Sequence, residues 1–185
     1  MIPRKNLSGV ITGLFSTPDP ENFVTSSRQS LEFALGGIPG DRHYGHTRPS
    51  GGREKKEYPR NTPIHNNRQW SAVSAEEIGE IAEKMKLGRI LPEWMGANLL
   101  ISGIPDLSHL PPLSKLRIFR NNELVAVLAV YGQNRPCIHP HRAMEAAVGK
   151  ELEVPFTIAA ADTRGLVGWV EKAGIVNIGD KIEVI

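Results

Sequence analysis

The chain has 185 residues, 40% of them hydrophobic and 23% charged, the balance of a folded domain and not of a disordered chain. A formal net charge of +2 gives no global attraction to nucleic acid or to an anionic membrane. No apolar run approaches the roughly 20 residues of a membrane span, and the single cysteine, Cys137, excludes an intrachain disulfide; both point to a reducing cytoplasm.

Residues Met1–Asn6 are basic through Arg4 and Lys5. Ser8, Gly9, Thr12 and Gly13 then interrupt the stretch to Leu14, so the apolar core of a signal peptide is missing. Val10–Phe15 reads as a first strand. Residues 16–30 are polar and turn-rich and read as a loop. Leu31–Leu35 alternates weakly, ends at Gly36-Gly37 and fits a half-buried strand. Residues 40–68 are nearly free of large aliphatics and rich in Gly, Pro, Asn, His and Arg, which reads as a long functional loop. Trp70–Val73 leads into the clearest helix. Ser74 suits its N-cap, Glu77 completes a capping box, Ile78, Ile81, Ala82 and Met85 share one face, and Gly88 supplies the stop.

Asn98–Ile101 and Leu116–Phe119 read as strands. Asn121-Asn122 then turns the chain into Leu124–Val130, a continuous apolar run typical of a strand buried on both faces. Arg142–Val148 reads as a short helix, with Pro140 suited to its start and Gly149 to its end. Pro155–Ala160, Gly168–Glu171 and Lys181–Ile185 read as strands, with turns at Gly174 and Gly179-Asp180. The sum is a single domain over residues 1–185, mostly β and β-barrel-like, with two or three short helices.

Chemistry concentrates at Arg135-Pro136-Cys137. A thiol is a weak nucleophile until it ionises, near pH 8.5 when unperturbed. Arg135, His139, His141 and Arg142 lie close in sequence, and a helix start comes just after; cations and helix N-termini both favour the thiolate. A buried structural cysteine is the competing reading. His139-Pro140-His141 is a poor metal pair, because the proline turns the two rings apart and no further zinc-ligand spacing accompanies them. The loop opens with Gly40-Asp41-Arg42-His43 and carries Arg48, Arg53, Lys55, Lys56, Arg60, His65 and Arg68 against Glu54 and Glu57, a composition suited to a phosphate or another anion. Gly36-Gly37-Ile38-Pro39-Gly40 lacks the spacing of a dinucleotide fingerprint.

In order along the chain, Gly37-Ile38-Pro39-Gly40-Asp41-Arg42-His43, Arg68-Gln69-Trp70-Ser71-Ala72-Val73-Ser74, Gly96-Ala97-Asn98-Leu99, Arg135-Pro136-Cys137 and Gly174–Asp180 resemble the MOSC domain, named for the C-terminal domain of molybdenum cofactor sulfurase. The resemblance implies a barrel-like fold around a cleft. It makes Cys137 the family's cysteine, a persulfide sulfur carrier or a molybdenum ligand. It places Asp41, His43, Arg68, Asn98 and Arg135 around a bound molybdenum cofactor (molybdopterin). It implies either a molybdenum-cofactor-dependent reductase of N-hydroxylated compounds or a sulfur transferase, with an electron-transfer protein or a cysteine desulfurase as partner. The pyridoxal-phosphate domain fused to some relatives has no counterpart in the sequence, so pyridoxal phosphate is not expected. Two departures stand out. Gly96-Ala97-Asn98 replaces the family's usual Gly-Glu-Asn, and Leu113-Ser114-Lys115 stands where Gly-Asp is usual. A non-enzymatic barrel that binds a small anion or a protein, with an inert cysteine, remains the alternative.

Overall fold

The computed structural model describes residues 7–185; the basic segment read at residues 1–6 lies outside the described residues. In chain order the strands are β1 (Ser8–Ser16), β2 (Ser26–Arg28), β3 (Ser30–Phe33), β4 (Thr47–Pro49), β5 (Pro63–His65), β6 (Trp70–Ser74), β7 (Leu99–Ser102), β8 (Lys115–Arg120), β9 (Glu123–Gln133), β10 (Leu166–Lys172), β11 (Gly174–Asn177) and β12 (Lys181–Val184). The helices are α1 (Ala75–Lys84), α2 (Ile138–Val148) and α3 (Phe156–Ala159).

Seven strands close a barrel in the order β12-β8-β9-β10-β6-β7-β1, and β1 returns to β12 through Ser8–Glu183, Gly9–Ile182 and Val10–Lys181. Every neighbouring pair is antiparallel except β6–β7, whose parallel ladder needs a crossover, supplied by α1 and the segment after it. β2 extends the sheet beside β1, β3 pairs with β11, and β4 with β5. No helix among the described residues is long and apolar enough to cross a membrane.

Alternation along the strands fills the barrel. Ile11, Leu14, Leu99, Ile101, Leu116, Ile118, Leu128, Leu166 and Ile182 are all fully buried in one cluster, each burial favouring the fold by roughly 1.5–3 kcal/mol. A second cluster, with Ile81, Met95, Met144 and Phe156 fully buried, joins α1, α2 and α3 outside the barrel. Gly168 is where β10 crosses Trp70: a Cβ there would fall on the Ala129 carbonyl and the indole ring. The Asn121-Asn122 turn has both residues at positive φ, 51° and 67°, as a two-residue hairpin loop of the primed type requires.

Several expectations need correction. Pro155–Ala160 is not a strand: α3 runs through Phe156–Ala159, because Phe156 and Ala159 are buried while Thr157 and Ile158 face out, a spacing of three. Residues 16–30 hold the short strand β2, and 40–68 hold the β4–β5 pair. The strand expected to reach Leu35 ends at Phe33. Ala34 is joined to Gly37 only by an isolated bridge, and Leu35 lies exposed beyond it. Trp70–Val73, expected only to lead into a helix, belongs to a fully buried strand that runs on to the N-cap Ser74. β7 begins at Leu99, after Asn98, and Gly174 opens β11 instead of turning the chain.

The helix ends also differ. In α1 the Ser74 hydroxyl accepts from Glu77 N–H at 3.3 Å, but the carboxylate that returns to Ser74 is that of Glu76, at 2.7 Å. Glu77 lies on the buried face and turns inward to Ser108. The helix stops before Gly88, with Met85 as C-cap and Lys86 at φ 54°. α2 begins at Ile138, so Pro140 sits in its first turn, where a missing N–H costs no helical bond. Gly149 ends it at φ 69°, as expected.

Candidate functional site

β9 delivers the chain to the site. After Gln133 it turns through Asn134–Pro136, and Cys137 becomes the N-cap of α2 in extended conformation, φ −138° and ψ 178°. The sulfur makes no capping hydrogen bond and is partly exposed. It therefore stands free at the positive end of an 11-residue helix.

Cys137 lines a recess of about 110 Å³ together with Arg42, Arg53, Arg68 and Arg164, and with His43 beside them. No carboxylate lines it among the described residues. The guanidinium of Arg68 donates to Asn134 Oδ1 at 2.9 Å. Burial pushes its pKa down to about 10, helped by the like charges of Arg53, Arg48 and Arg164. Arg42 donates to the Asn22 carbonyl at 3.1 Å and lies 4.9 Å over the Phe23 ring. Burial lowers its pKa from the ordinary value, while Asp41 and Cys137 act the other way.

Arg164 is the most unusual member. It is 5% exposed, and its one hydrogen bond runs from Nη2 to the Met95 carbonyl, at 2.6 Å. Its Nε and Nη1 are buried without a partner, as is Nε1 of Trp70 in the same recess. Burial pushes the pKa of Arg164 down to about 10; negative charge on Cys137 opposes that shift, and Arg53 and Arg42 add to it. It is still charged at neutral pH. A buried cation with two idle donors is costly for the fold, and the side chain is held by what surrounds it. Gly165, at φ 95°, lets the chain pass the Ala72 carbonyl where a Cβ could not fit.

The residues singled out in the sequence divide into three groups. Cys137, His43, Arg68 and Asn98 line this recess. Asp41 lies behind it, 6% exposed, with its oxygens committed. Oδ2 accepts from Thr17 N–H at 3.1 Å and from Asn98 Nδ2 at 3.3 Å; Oδ1 accepts from His43 N–H at 3.0 Å and faces His43 Nδ1 at 3.3 Å. Burial alone would raise this carboxyl, but the His43 and Thr17 hydrogen bonds outweigh it and hold it below the usual range. Asn98 is equally committed: it accepts from Ser71 N–H at 3.0 Å and donates to the Phe15 carbonyl at 3.1 Å. These two buried side chains fasten β1, β6 and the start of the basic loop together. Arg135 is exposed and lines an adjoining recess with Asn134 and Arg164; it meets the site through its carbonyl, which Arg53 reaches at 3.4 Å.

The other signals resolve locally. Arg48 pairs with Glu54 at 2.7 Å, and that hydrogen bond is the main reason the Glu54 carboxyl is held down to about 2. Lys55, Lys56, Arg60 and His65 are exposed. His139 stacks on Phe23 with ring centroids 5.3 Å apart, whereas His141 accepts from Phe156 N–H at 3.3 Å and faces Glu145 at 3.2 Å. No group of three His, Cys, Asp or Glu side chains among the described residues could hold a metal ion. Ala97 is fully buried in the helical cluster, so position 97 points away from the recess. Arg164 carries no signal in the sequence. It sits 27 positions after Cys137, between α3 and β10, in a segment with no periodicity to mark it.

The chain matches the profile of the MOSC domain over residues 40–183. It is 43% identical over 182 residues to YuaD of Bacillus subtilis (strain 168), across 97% of this chain and 92% of that one; the name of that protein provisionally places it in metal–sulfur cluster biosynthesis. The crystal structure of the YuaD protein from Bacillus subtilis superposes with a TM-score of 0.88 at 40% identity, covering 97% of each chain. The crystal structure of YiiM from Escherichia coli superposes with a TM-score of 0.51 at 15% identity, over 99% of this chain and 70% of that one, a likeness of fold alone.

Proposed function

The chain belongs to the MOSC domain family, and from that premise we propose that Cys137 is the sulfur atom that meets the molybdenum cofactor, either by passing sulfur to it or by ligating its metal. The observation that carries this reading is one soft thiol in a recess with four arginines and no carboxylate. Such a lining repels free metal cations and attracts an anionic group. A metal arriving here must bring its other ligands with it, as the molybdenum cofactor does.

The residues fit that group. The thiolate suits a thiophilic centre. The idle donors of Arg164 and Trp70 suit anionic oxygen or sulfur. Arg42 and Arg68 add positive charge, and His43 is positioned by Asp41. When bound, the cofactor would supply two-electron redox chemistry, which in a catalytic version reduces N-hydroxylated compounds with electrons from a protein partner. The protein's own part is to hold the anion, exclude cations and present one sulfur.

Sulfur transfer is favoured by two observations: the partial exposure of Cys137 and the name of the Bacillus subtilis relative. In that mode a persulfide on a cysteine desulfurase is attacked by the Cys137 thiolate. Its S–S bond breaks, the desulfurase thiolate leaves, and the outer sulfur remains on Cys137 with no net oxidation. Two measurements on chain purified from a cofactor-competent host test the proposal. One is its molybdenum content. The other is the mass of the Cys137-containing peptide after incubation with desulfurase and cysteine. Retained molybdenum supports ligation, and a gain of one sulfur atom supports transfer. A chain that shows neither, and does not bind added cofactor, overturns the proposal.

A further inference from the structure

Two residues that line the recess carry three buried donors without acceptors: Nε and Nη1 of Arg164 and Nε1 of Trp70. Buried donors of this kind are normally satisfied by protein, water or ligand. The lining is cationic, and about 110 Å³ is ample for a small oxyanion. That combination suits a compact anion bearing several oxygens at the floor of the recess. Cys137 opens onto the same recess, near enough for its charge to act on Arg42 and Arg164.

We propose that the Arg164–Trp70 floor of the recess binds the sulfonate end of thiosulfate, and that Cys137 takes the outer sulfur from it. This rests on the sulfur-transfer reading above and names a small-molecule donor for it. The Cys137 thiolate attacks the outer sulfur of thiosulfate. The sulfur–sulfur bond of thiosulfate breaks, and its electron pair leaves on sulfite. Cys137 is left as a persulfide anion. One thiolate and one thiosulfate dianion give one persulfide anion and one sulfite dianion, so charge balances and no oxidant is needed. The guanidiniums offset the repulsion between two anions in the encounter. The donors of Arg164 and Trp70 hold the oxygens that stay with the leaving sulfite, which is where charge develops. Sulfate and phosphate share the oxyanion shape but carry no transferable sulfur.

The test incubates the full chain with thiosulfate, reading sulfite release and the intact mass; parallel samples receive sulfate, phosphate, or desulfurase with cysteine. The expected result is one sulfur gained on Cys137 and one sulfite released, with thiosulfate alone among the three anions. Arg164→Gln should slow thiosulfate loading at least about tenfold. Trp70→Phe, which keeps an aromatic ring and removes one donor, should slow it about threefold. Circular dichroism like that of the wild type shows that both fold, and in each variant loading from the desulfurase should fall by a smaller factor than loading from thiosulfate. Loading by the desulfurase but not by thiosulfate overturns this inference and leaves the sulfur-transfer reading standing. Loading by neither overturns both. Equal thiosulfate loading by wild type and both variants removes the assigned floor.

Discussion

Two arginines near opposite ends of β9 show how differently one protein can use the same side chain. At the start of the strand, Arg120 donates from Nε to Asp180 Oδ1 at 2.9 Å and from Nη2 to Oδ2 at 2.7 Å, and Asp180 also accepts from Asn177 N–H at 2.8 Å. The fork is answered by a carboxylate, and the pair staples the turn before β12 to the β8–β9 hairpin. Beyond the other end, Arg164 is more deeply buried and has only a carbonyl. The first arrangement is complete within the fold. The second leaves two donors idle.

That contrast can be broken most severely at the sulfur. Cys137→Ser should abolish sulfur loading and molybdenum retention while leaving the melting temperature essentially unchanged, because Cys137 makes no capping bond; a large fall in melting temperature would show a structural thiol instead. Next in size is the preference of Cys137 for an anionic alkylating agent. The ratio of iodoacetate to iodoacetamide rates should fall about tenfold in Arg164→Met, as one buried cation is removed. The ratio cancels the reactivity of the thiol itself, so an unchanged ratio would place Arg164 out of reach of the site.

Behind Arg164 a third group links the recess to the helical layer. Glu77 accepts from Ser108 N–H at 2.9 Å and from its hydroxyl at 2.8 Å, and Ser108 Oγ accepts from Gly165 N–H at 2.7 Å. Burial raises the Glu77 carboxyl to about 7, although the Ser108 hydrogen bonds pull it down. Folded protein therefore holds this proton more tightly than unfolded protein, whose carboxyl titrates near 4.5. The contribution is complete below about pH 4.5 and is lost as pH rises through about 7, a change on the order of 3 kcal/mol. Glu77→Gln should flatten that part of the stability profile in denaturant titrations; an unaltered profile would mean another group titrates there.

The smallest effects sharpen the arginine pair itself. Arg164→Met should change stability by no more than about 1 kcal/mol, because a costly buried cation and its one hydrogen bond disappear together. Arg120→Met should lower the melting temperature, because it leaves the buried Asp180 without its cation, and should leave thiosulfate and desulfurase loading untouched. Reversed stability effects would show that Arg164, too, is chiefly a staple.

Some of this is legible in the sequence for clear reasons. The apolar run at Leu124–Val130, the Asn121-Asn122 turn and the face of Ile78, Ile81 and Ala82 are local patterns, and each sits where its period puts it. Phe156–Ala159 misleads because a four-residue apolar stretch fits a strand or a helix equally well, and only packing against α2 and α1 decides. Trp70–Ser74 is obscure because every residue is buried, which removes the alternation that marks a strand. At the site, short ordered motifs reveal Cys137, His43, Arg68 and Asn98. Asp41 comes with them, although its oxygens bind the scaffold. Arg164 enters through the β9–β10 ladder, a contact with no local trace in the chain.

A thiol among arginines has a particular standing in a cell. Free thiols compete there for zinc and copper, and carboxylate or clustered imidazole neighbours help such ions to stay. Around Cys137 the lone imidazole of His43 is outnumbered by guanidiniums, so adventitious cations find little second foothold. The same charge that turns cations away leaves the sulfur facing the cell's abundant small anions, such as phosphate and chloride.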